Sequence, residues 1–394
     1  MKIGLLIPSV YTSKRYGKGR IFAPLPLAVD LADRLVAVGH EVVVYASGDV
    51  QTTARVVPGN ADMLVPDPQY YQFRYREPDE AKYTALEIVK RDYEYDLTLR
   101  AYQDALAGKL DVIHSFHDFG AHYFDEMTKV PTIYTLHDPL PQRKDTIEYF
   151  RYLRFAHHRY VSISNSQRES VVPLNFVGTV YHGIDTGLYD FTPQAEDHVV
   201  HFGRIMADKG TDVAIEVAKQ AGIPITVATS TIRANRSQGF FEEKIAPQID
   251  GVTVKEVGFL EGKAKSAYIG SGKAFLFPLA WDEPFGLVMI EAMACGTPVI
   301  AYNRGSVSEI VRDGVTGFIV DPPDVESQQP NHRAKRGTWS IKAPGKAGLL
   351  EALNRIGEID RAACRKHVEE HFSLPAMTSV YQKIYASLLT APQS

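Results

Sequence analysis

The stretch from Trp281 to Pro298, Trp-Asp-Glu-Pro-Phe-Gly-Leu-Val-Met-Ile-Glu-Ala-Met-Ala-Cys-Gly-Thr-Pro, constrains this chain more than any other. An apolar run, Ala274 to Pro278, ends just before it, and Leu287, Ile290, Glu291 and Ala294 recur at helical spacing, so the order reads strand, loop, helix. Pro284 suits a first helical turn, Gly296 the position just past a helix end, and Val299 to Ala301 opens a second apolar run. A helix starting there leaves backbone N–H groups and a positive dipole end near Phe285, Gly286 and Leu287, with Glu283 in the preceding loop and Glu291 inside the helix. That arrangement suits a ligand bearing both phosphate and hydroxyls. Acidic residues at helix starts also serve simply to complement the dipole, so spacing alone leaves both readings open.

One such unit cannot account for the chain. Its 394 residues exceed one compact core and suit two α/β domains. Hydrophobic residues at 45% and charged residues at 23% are ordinary globular values, which argues against disorder. A net charge of −4 and a pI near 6.4 give no reason to expect nucleic acid as a partner. Two cysteines, Cys295 and Cys364, form no disulfide framework and point to a reducing compartment. Pro8 interrupts the N-terminal apolar run too early for a signal-peptide core, and no later run approaches membrane-spanning length. The expectation is a cytoplasmic protein that is not integral to a membrane.

In chain order, Ile3 to Ile7 reads as a central parallel strand, followed by the glycine-bearing loop Tyr16-Gly17-Lys18-Gly19-Arg20, a helix from Pro26 to Val38 and a second strand, Val42 to Ala46. The loop lets backbone approach a ligand, although the third glycine of the dinucleotide fingerprint is missing. A long helical pattern runs from about Asp79 to Ala107. The strand ending near His114 delivers His117 and Asp118 to its carboxyl-end loop, and Thr132 to Leu136 delivers His137 likewise. Arg151 to Tyr160 is basic and aromatic, either a solvated helix face over buried aromatics or an acceptor or anionic-surface patch. Ser162 to Gln167 reads as a strand leading into a capped helix. A polar linker spans Thr186 to Asp197. The sheet pattern then restarts at His198 to Phe202, and Gly203 with Arg204 and Lys209 ahead of a helix from Asp212 forms a natural anion site or a pair of exposed loop cations. Strands at Ile223, Val252, Ala274 and Val299 complete the second domain. Asp324 to Lys346 reads as a polar, basic surface loop, and Leu374 to Leu389 as an amphipathic helix.

The whole string from Trp281 to about Phe318, with Arg304-Gly305-Ser306-Val307-Ser308-Glu309 and the turn pairs Asp313-Gly314 and Thr316-Gly317, resembles the Glu-x7-Glu signature of the family-4 retaining glycosyltransferases. Gly203-Arg204 with Lys209-Gly210 is similar to that family's diphosphate-binding loop. The resemblance implies a GT-B fold: two Rossmann-like doubly wound parallel-sheet α/β domains facing a central cleft, with a C-terminal helix crossing back to the first domain. It divides the chain into an acceptor-binding domain 1–188, a nucleotide-sugar-binding domain 189–372 and the helix 373–394. It implies donor contacts from Gly17, Lys18, Gly203, Arg204, Lys209, Glu283, Phe285, Gly286, Leu287 and Glu291. Catalytic roles fall to His117, His137, Glu283, Arg204 and Lys209. Family members commonly carry His-x-His at the end of the strand that here finishes near His114; here the pattern is His114-x-x-His117, with Phe116 in the expected place, so His117 takes the role or the role is vacant.

The expected function is a metal-independent retaining hexosyltransferase that moves a hexose from a nucleotide-diphosphate sugar, UDP-sugar favoured, onto a hydroxyl of a carbohydrate, lipid or small-molecule acceptor. The nucleotide sugar is a substrate and no cofactor is expected. Peripheral contact with a membrane is compatible with this reading. A GT-B phosphorylase or sugar-phosphate-acceptor synthase is the nearest alternative, and the Phe116 departure favours a third, a silent sugar-nucleotide-binding protein.

Overall fold

The structure is a computed structural model that describes residues 1–17, 22–64, 80–116, 120–229, 235–323 and 337–390; side chains are described for all of these except 80–86 and 235–237. It divides into two compact units, one of Met1–Ile163, Ser170–Gly183 and the residues from Leu374 onward, the other of Ser164–Glu169 and Ile184–Ser373.

The first unit is a parallel sheet of seven strands, β1 (Lys2–Leu6), β2 (Glu41–Ala46), β3 (Arg55–Pro58), β4 (Val112–Ser115), β5 (Thr132–Thr135), β6 (Arg159–Ser162) and β7 (Phe176–Thr179), in the order β3-β2-β1-β4-β5-β6-β7. Alternate residues enter different cores. Ile3, Leu5, Val42, Val44, Val112, Ile133 and Val161 pack on one face, and Leu6, Val43, Tyr45, Ile113, Tyr134 and Tyr160 on the other. Burial on both faces explains why these strands read as unbroken apolar runs. Helix Pro24–Ala37 covers the first face through Ala28, Leu31, Ala32 and Leu35, and helix Glu80–Leu106 the second through Tyr93, Leu97, Ala101, Tyr102 and Ala105. Gly39 ends the former at φ 90°, its N–H donating to the Val36 carbonyl and that of His40 to Leu35.

The C-terminal helix Leu374–Thr390 belongs to the first unit and shares the first face, burying Met377, Tyr381, Ile384 and Tyr385 there. A buried polar chain fixes its position. Tyr385 OH and Thr135 Oγ1 each lie 2.7 Å from a ring nitrogen of His114, and Tyr381 OH lies 3.0 Å from the same Thr135 oxygen. Burial pushes His114 down to about 3, so the ring is neutral, donating through one nitrogen and accepting through the other.

The second unit repeats the design with six parallel strands, β8 (Val199–Gly203), β9 (Ile225–Thr229), β10 (Val254–Gly258), β11 (Phe275–Phe277), β12 (Val299–Tyr302) and β13 (Gly317–Val320), in the order β10-β9-β8-β11-β12-β13. Two local expectations fail. The stretch after β6 forms a single 3-10 turn, Ser166–Arg168, with no side-chain cap, because Asn165 is itself helical in backbone. Thr186 to Asp197 is no free linker: the Arg365 guanidinium donates to the Thr186 and Tyr189 carbonyls and that of Arg361 to Thr192, holding the stretch against the second unit. The stretch Asp324 to Lys346 is described only from Gly337, where the Trp339 indole donates to Asp321, and its end is already helical from Gly345.

Burial also pushes His182 to about 3 and His201 to about 4. These folded values lie below the ordinary 6.5, so the unfolded chain binds more protons, and the stability present above that value is lost as pH falls toward the folded ones. Urea midpoints are therefore expected to drop between about pH 7 and about pH 5, with a loss on the order of 2 kcal/mol per buried histidine. A midpoint constant over that range would contradict the burial described.

Candidate functional site

The order of the second sheet reverses between β8 and β11, and a doubly wound sheet opens its ligand crevice at the carboxyl ends of the strands that flank such a reversal. The loops leaving those two ends are Arg204 to Gly210 and Pro278 to Gly286. Backbone contact joins them: Ala280 N–H donates to the Asp208 carbonyl at 2.9 Å, and a Cβ on Gly210 would stand 2.1 Å from the Pro278 oxygen. Gly210, at φ 71°, caps helix Thr211–Gln220. Beneath them His201 Nδ1 lies 2.8 Å from the Leu276 carbonyl and Nε2 lies 2.9 Å from Thr211 Oγ1. A carbonyl only accepts, so this neutral ring carries its proton on Nδ1 and takes the Thr211 hydroxyl on Nε2.

The joined loops bring opposite charges together. Lys209 Nζ meets Glu283 Oε2 at 2.6 Å, with the two side chains only 10% and 13% exposed. Trp281 completes the group: its ring lies 4.2 Å from Lys209 Nζ and its Nε1 donates to the same carboxylate oxygen at 3.1 Å. Glu283 Oε1 bonds nothing among the described residues. Arg204 is exposed and makes no ion pair among them, and Asp208 on the same loop has its Oδ1 buried without a partner.

Glu283 is held by its backbone as well. Ser306 N–H donates to the Glu283 carbonyl at 3.0 Å and Ser306 Oγ to that of Phe285 at 2.6 Å. Gly305 lies so close that a Cβ would stand 2.3 Å from Glu283 O and 2.5 Å from Glu283 N. Helix Leu287–Ala294 begins later than its proline suggests: Gly286, at φ 84°, is the cap, and Pro284 lies in the loop. The amides of Gly286 and Leu287 donate to nothing among the described residues and stand at the positive helix end, while Phe285 is buried.

Glu291 lies inside that helix and is buried. Its Oε1 accepts from Lys265 Nζ at 2.7 Å and Tyr189 OH at 2.9 Å, whereas Oε2 is buried without a partner. A buried carboxylate oxygen left unsatisfied costs free energy that an incoming hydroxyl offsets. Tyr189 and Lys265 have no signal in the sequence. One lies in a stretch that reads as linker and the other in a helix with no motif, and their bonds to Glu291 span 102 and 26 residues.

Of the residues expected to act from the first unit, Gly17 and His137 are among the described ones. Gly17 closes a helical turn, Lys14–Gly17, its amide donating to the Ser13 carbonyl at 2.7 Å, so that amide is already used. Lys18 and His117 lie outside the described residues. Phe116 is buried in the core, stacked on His137 with ring centroids 5.7 Å apart, and His137 in turn stacks on His182 at 5.3 Å. The place where family members carry histidine is thus filled by a packed ring that supports His137, which is half-buried at the end of β5. Among the described residues one set of three possible metal ligands gathers, Glu126, His157 and His158, with ligand atoms within 4.8 Å of one another. None of them is a candidate donor residue.

A family model described as "Glycosyltransferase Family 4" matches residues 27–188, and one described as "Glycosyl transferases group 1" matches residues 192–330. The chain is 28% identical over 193 residues to an "Uncharacterized 41.2 kDa protein in cps region" of Klebsiella pneumoniae, an alignment of 48% of this chain and 46% of that one. It is 32% identical over 163 residues to a D-inositol 3-phosphate glycosyltransferase of Mycobacterium avium, covering 41% of this chain and 37% of that protein. The chain therefore spans less than half the length of these curated relatives. The crystal structure of Anabaena Alr3699/HepE in complex with UDP and glucose superposes with a TM-score of 0.67 at 16% identity, over 98% of this chain and 100% of that one, which shows a shared fold.

Gly305 and Gly258 both have left-handed backbones, at φ 55° and 71°, but a Cβ on Gly258 would meet nothing within 4 Å. Gly258→Ala is expected to cost about 1 kcal/mol from backbone strain alone. Gly305→Ala adds displacement of the Glu283 loop and is expected to cost at least about 3 kcal/mol in urea unfolding. Equal costs would mean that the loop is not braced as described.

Proposed function

The chain belongs to the group 1, family-4 glycosyltransferases, and from that premise we propose that it is a retaining hexosyltransferase using a nucleotide-diphosphate sugar, with a UDP-sugar favoured, and forming an α-linkage to an acceptor hydroxyl. The observation that carries this reading is the Lys209–Glu283 pair at the strand-order reversal, with Arg204, which makes no ion pair among the described residues, on the Lys209 loop and a half-satisfied Glu291 on the helix that follows the Glu283 loop. Two cations, free helix amides and two carboxylates are the complement of a diphosphate joined to two polyhydroxylated groups.

On arrival of the donor, Lys209 shifts from sole partnership with Glu283 to sharing its ammonium with the diphosphate, and Arg204 supplies the remaining charge. Glu283, its Oε1 already available, then takes hexose hydroxyls. Glu291 accepts from the nucleotide ribose through Oε2, with Lys265 and Tyr189 fixing the other oxygen. The amides of Gly286 and Leu287 lie beside the sugar and phosphate, over the buried Phe285. In the reaction the bond from the anomeric carbon to the phosphate oxygen breaks as the acceptor oxygen bonds that carbon from the same face. The acceptor proton passes to the leaving phosphate oxygen. Lys209 and Arg204 offset the charge growing on that group, so the proposal requires no metal ion or cofactor. His137 is the described candidate for orienting the transferred sugar or the incoming hydroxyl. The two cysteines, buried and unpaired, support a reducing, cytoplasmic setting.

The test is nucleotide release from UDP-, GDP- and ADP-sugars, alone and with simple acceptors, with the product's anomeric configuration read by NMR. One donor is expected to be turned over to an α-linked product in the presence of a chelator, and Lys209→Ala and Glu291→Ala to lower kcat/KM by about 100-fold or more. A β-linked product would overturn retention. Tight nucleotide binding without release to any acceptor would leave the silent-binder reading in its place.

A further inference from the structure

The basic, aromatic stretch Arg151 to Tyr160 begins within helix Ile147–Arg154, which is capped by Thr146 Oγ1 and presents an apolar face to solvent. Tyr149 and Tyr152 point inward and pack against the core that holds Tyr134 and Tyr160. The opposite face carries Ile147, Phe150 and Leu153, which are 75%, 61% and 41% exposed. Spaced three apart, they form one stripe. Helix Glu80–Leu106 also exposes three large apolar residues, Ile88, Leu99 and Leu106, but their spacing scatters them along its length.

Cations are interleaved with the stripe. Arg151 and Arg154 are exposed and flank Ile147 on the helical wheel, and Arg154 also lies 5.7 Å from the Tyr123 ring and 5.6 Å from that of Phe155. Lys144 is exposed just before the helix, while Arg143 is paired with Asp145 and Glu148 stands at the edge of the face. From Arg143 to Arg154 there are four cations against two carboxylates. We propose that this face docks the first unit on an anionic lipid bilayer, with Ile147, Phe150 and Leu153 entering the headgroup boundary and Lys144, Arg151 and Arg154 meeting lipid phosphates.

Charge separates this occupant from a second copy of the chain. A two-fold pairing of the face would set Arg151 and Arg154 against their own counterparts, and three side chains fall well short of the roughly 800 Å² per partner that stable association buries. A bilayer supplies anions and an apolar layer at once. The two inward tyrosines hold the helix so that the stripe is presented without further folding, which lowers the entropy cost of docking. Docking does not depend on the donor site, and it is read without turnover, so its failure and that of the transferase reading are separable.

The experiment is co-sedimentation of the full chain with vesicles of phosphatidylcholine alone and of phosphatidylcholine mixed with phosphatidylglycerol, at low and high salt. The parent is expected to pellet with the anionic vesicles only, and less so at high salt. Ile147→Ser with Phe150→Ser is expected to weaken binding about tenfold or more. Arg151→Gln with Arg154→Gln is expected to weaken it about fivefold per cation and to reduce the salt dependence. All four positions are exposed, and an unchanged melting temperature in each double variant separates lost docking from lost folding. Three results overturn the proposal: no binding to anionic vesicles at low salt, binding unaffected by the apolar double variant, or a parent dimer in sedimentation equilibrium that the apolar variant dissociates.

Discussion

The 2.6 Å ion pair between Lys209 and Glu283 is the interaction on which the second unit's chemistry turns. It joins two loops that the sheet brings together only because strand order reverses between β8 and β11. A largely buried pair of this kind is worth little by itself, since desolvation offsets most of its attraction; what it sets is position. Gly210 against Pro278 and Gly305 against Glu283 fix the same two loops through backbone contacts that no side chain would tolerate. The pair is therefore braced before any ligand arrives. On the proposed reading, donor binding exchanges one partner of Lys209 for another and needs no rebuilding of the loop, which is the preorganisation that electrostatic catalysis requires.

The first unit is held by a different principle. Its sheet is buried on both faces, and the final helix of the chain is fixed to one face by packing and by the buried series Tyr385, His114, Thr135 and Tyr381. In that series the histidine is structural: burial keeps it neutral and both nitrogens are committed. The adjacent Phe116 stacks on His137 and braces that histidine at the end of β5.

What the sequence makes legible follows from the range of the interactions involved. Strands buried on both faces appear as short apolar runs, and a helix such as Leu374–Thr390 appears through Met377, Tyr381, Ile384 and Tyr385, so both are visible within a few residues. The acidic pair Glu283 and Glu291 is visible for the same reason, lying on one loop and the helix that follows it. Tyr189 and Lys265 are invisible because they act through bonds to a residue far along the chain. Thr186 to Asp197 looks like a linker because its composition is polar, yet its carbonyls are claimed by Arg361 and Arg365 from a helix that begins at Arg361. The start of helix Leu287–Ala294 is misplaced because a proline at a first turn is a common signal and a left-handed glycine cap after it is not.

The central claim is that the braced Lys209–Glu283 group is built to hold a diphosphate. The most direct measurement is calorimetric titration of UDP, and separately of uridine, into the parent chain and into Lys209→Met. The account predicts that the substitution weakens UDP binding about tenfold or more while leaving uridine nearly unaffected, since only the diphosphate meets the ammonium. Equal affinity of parent and variant for UDP would contradict it.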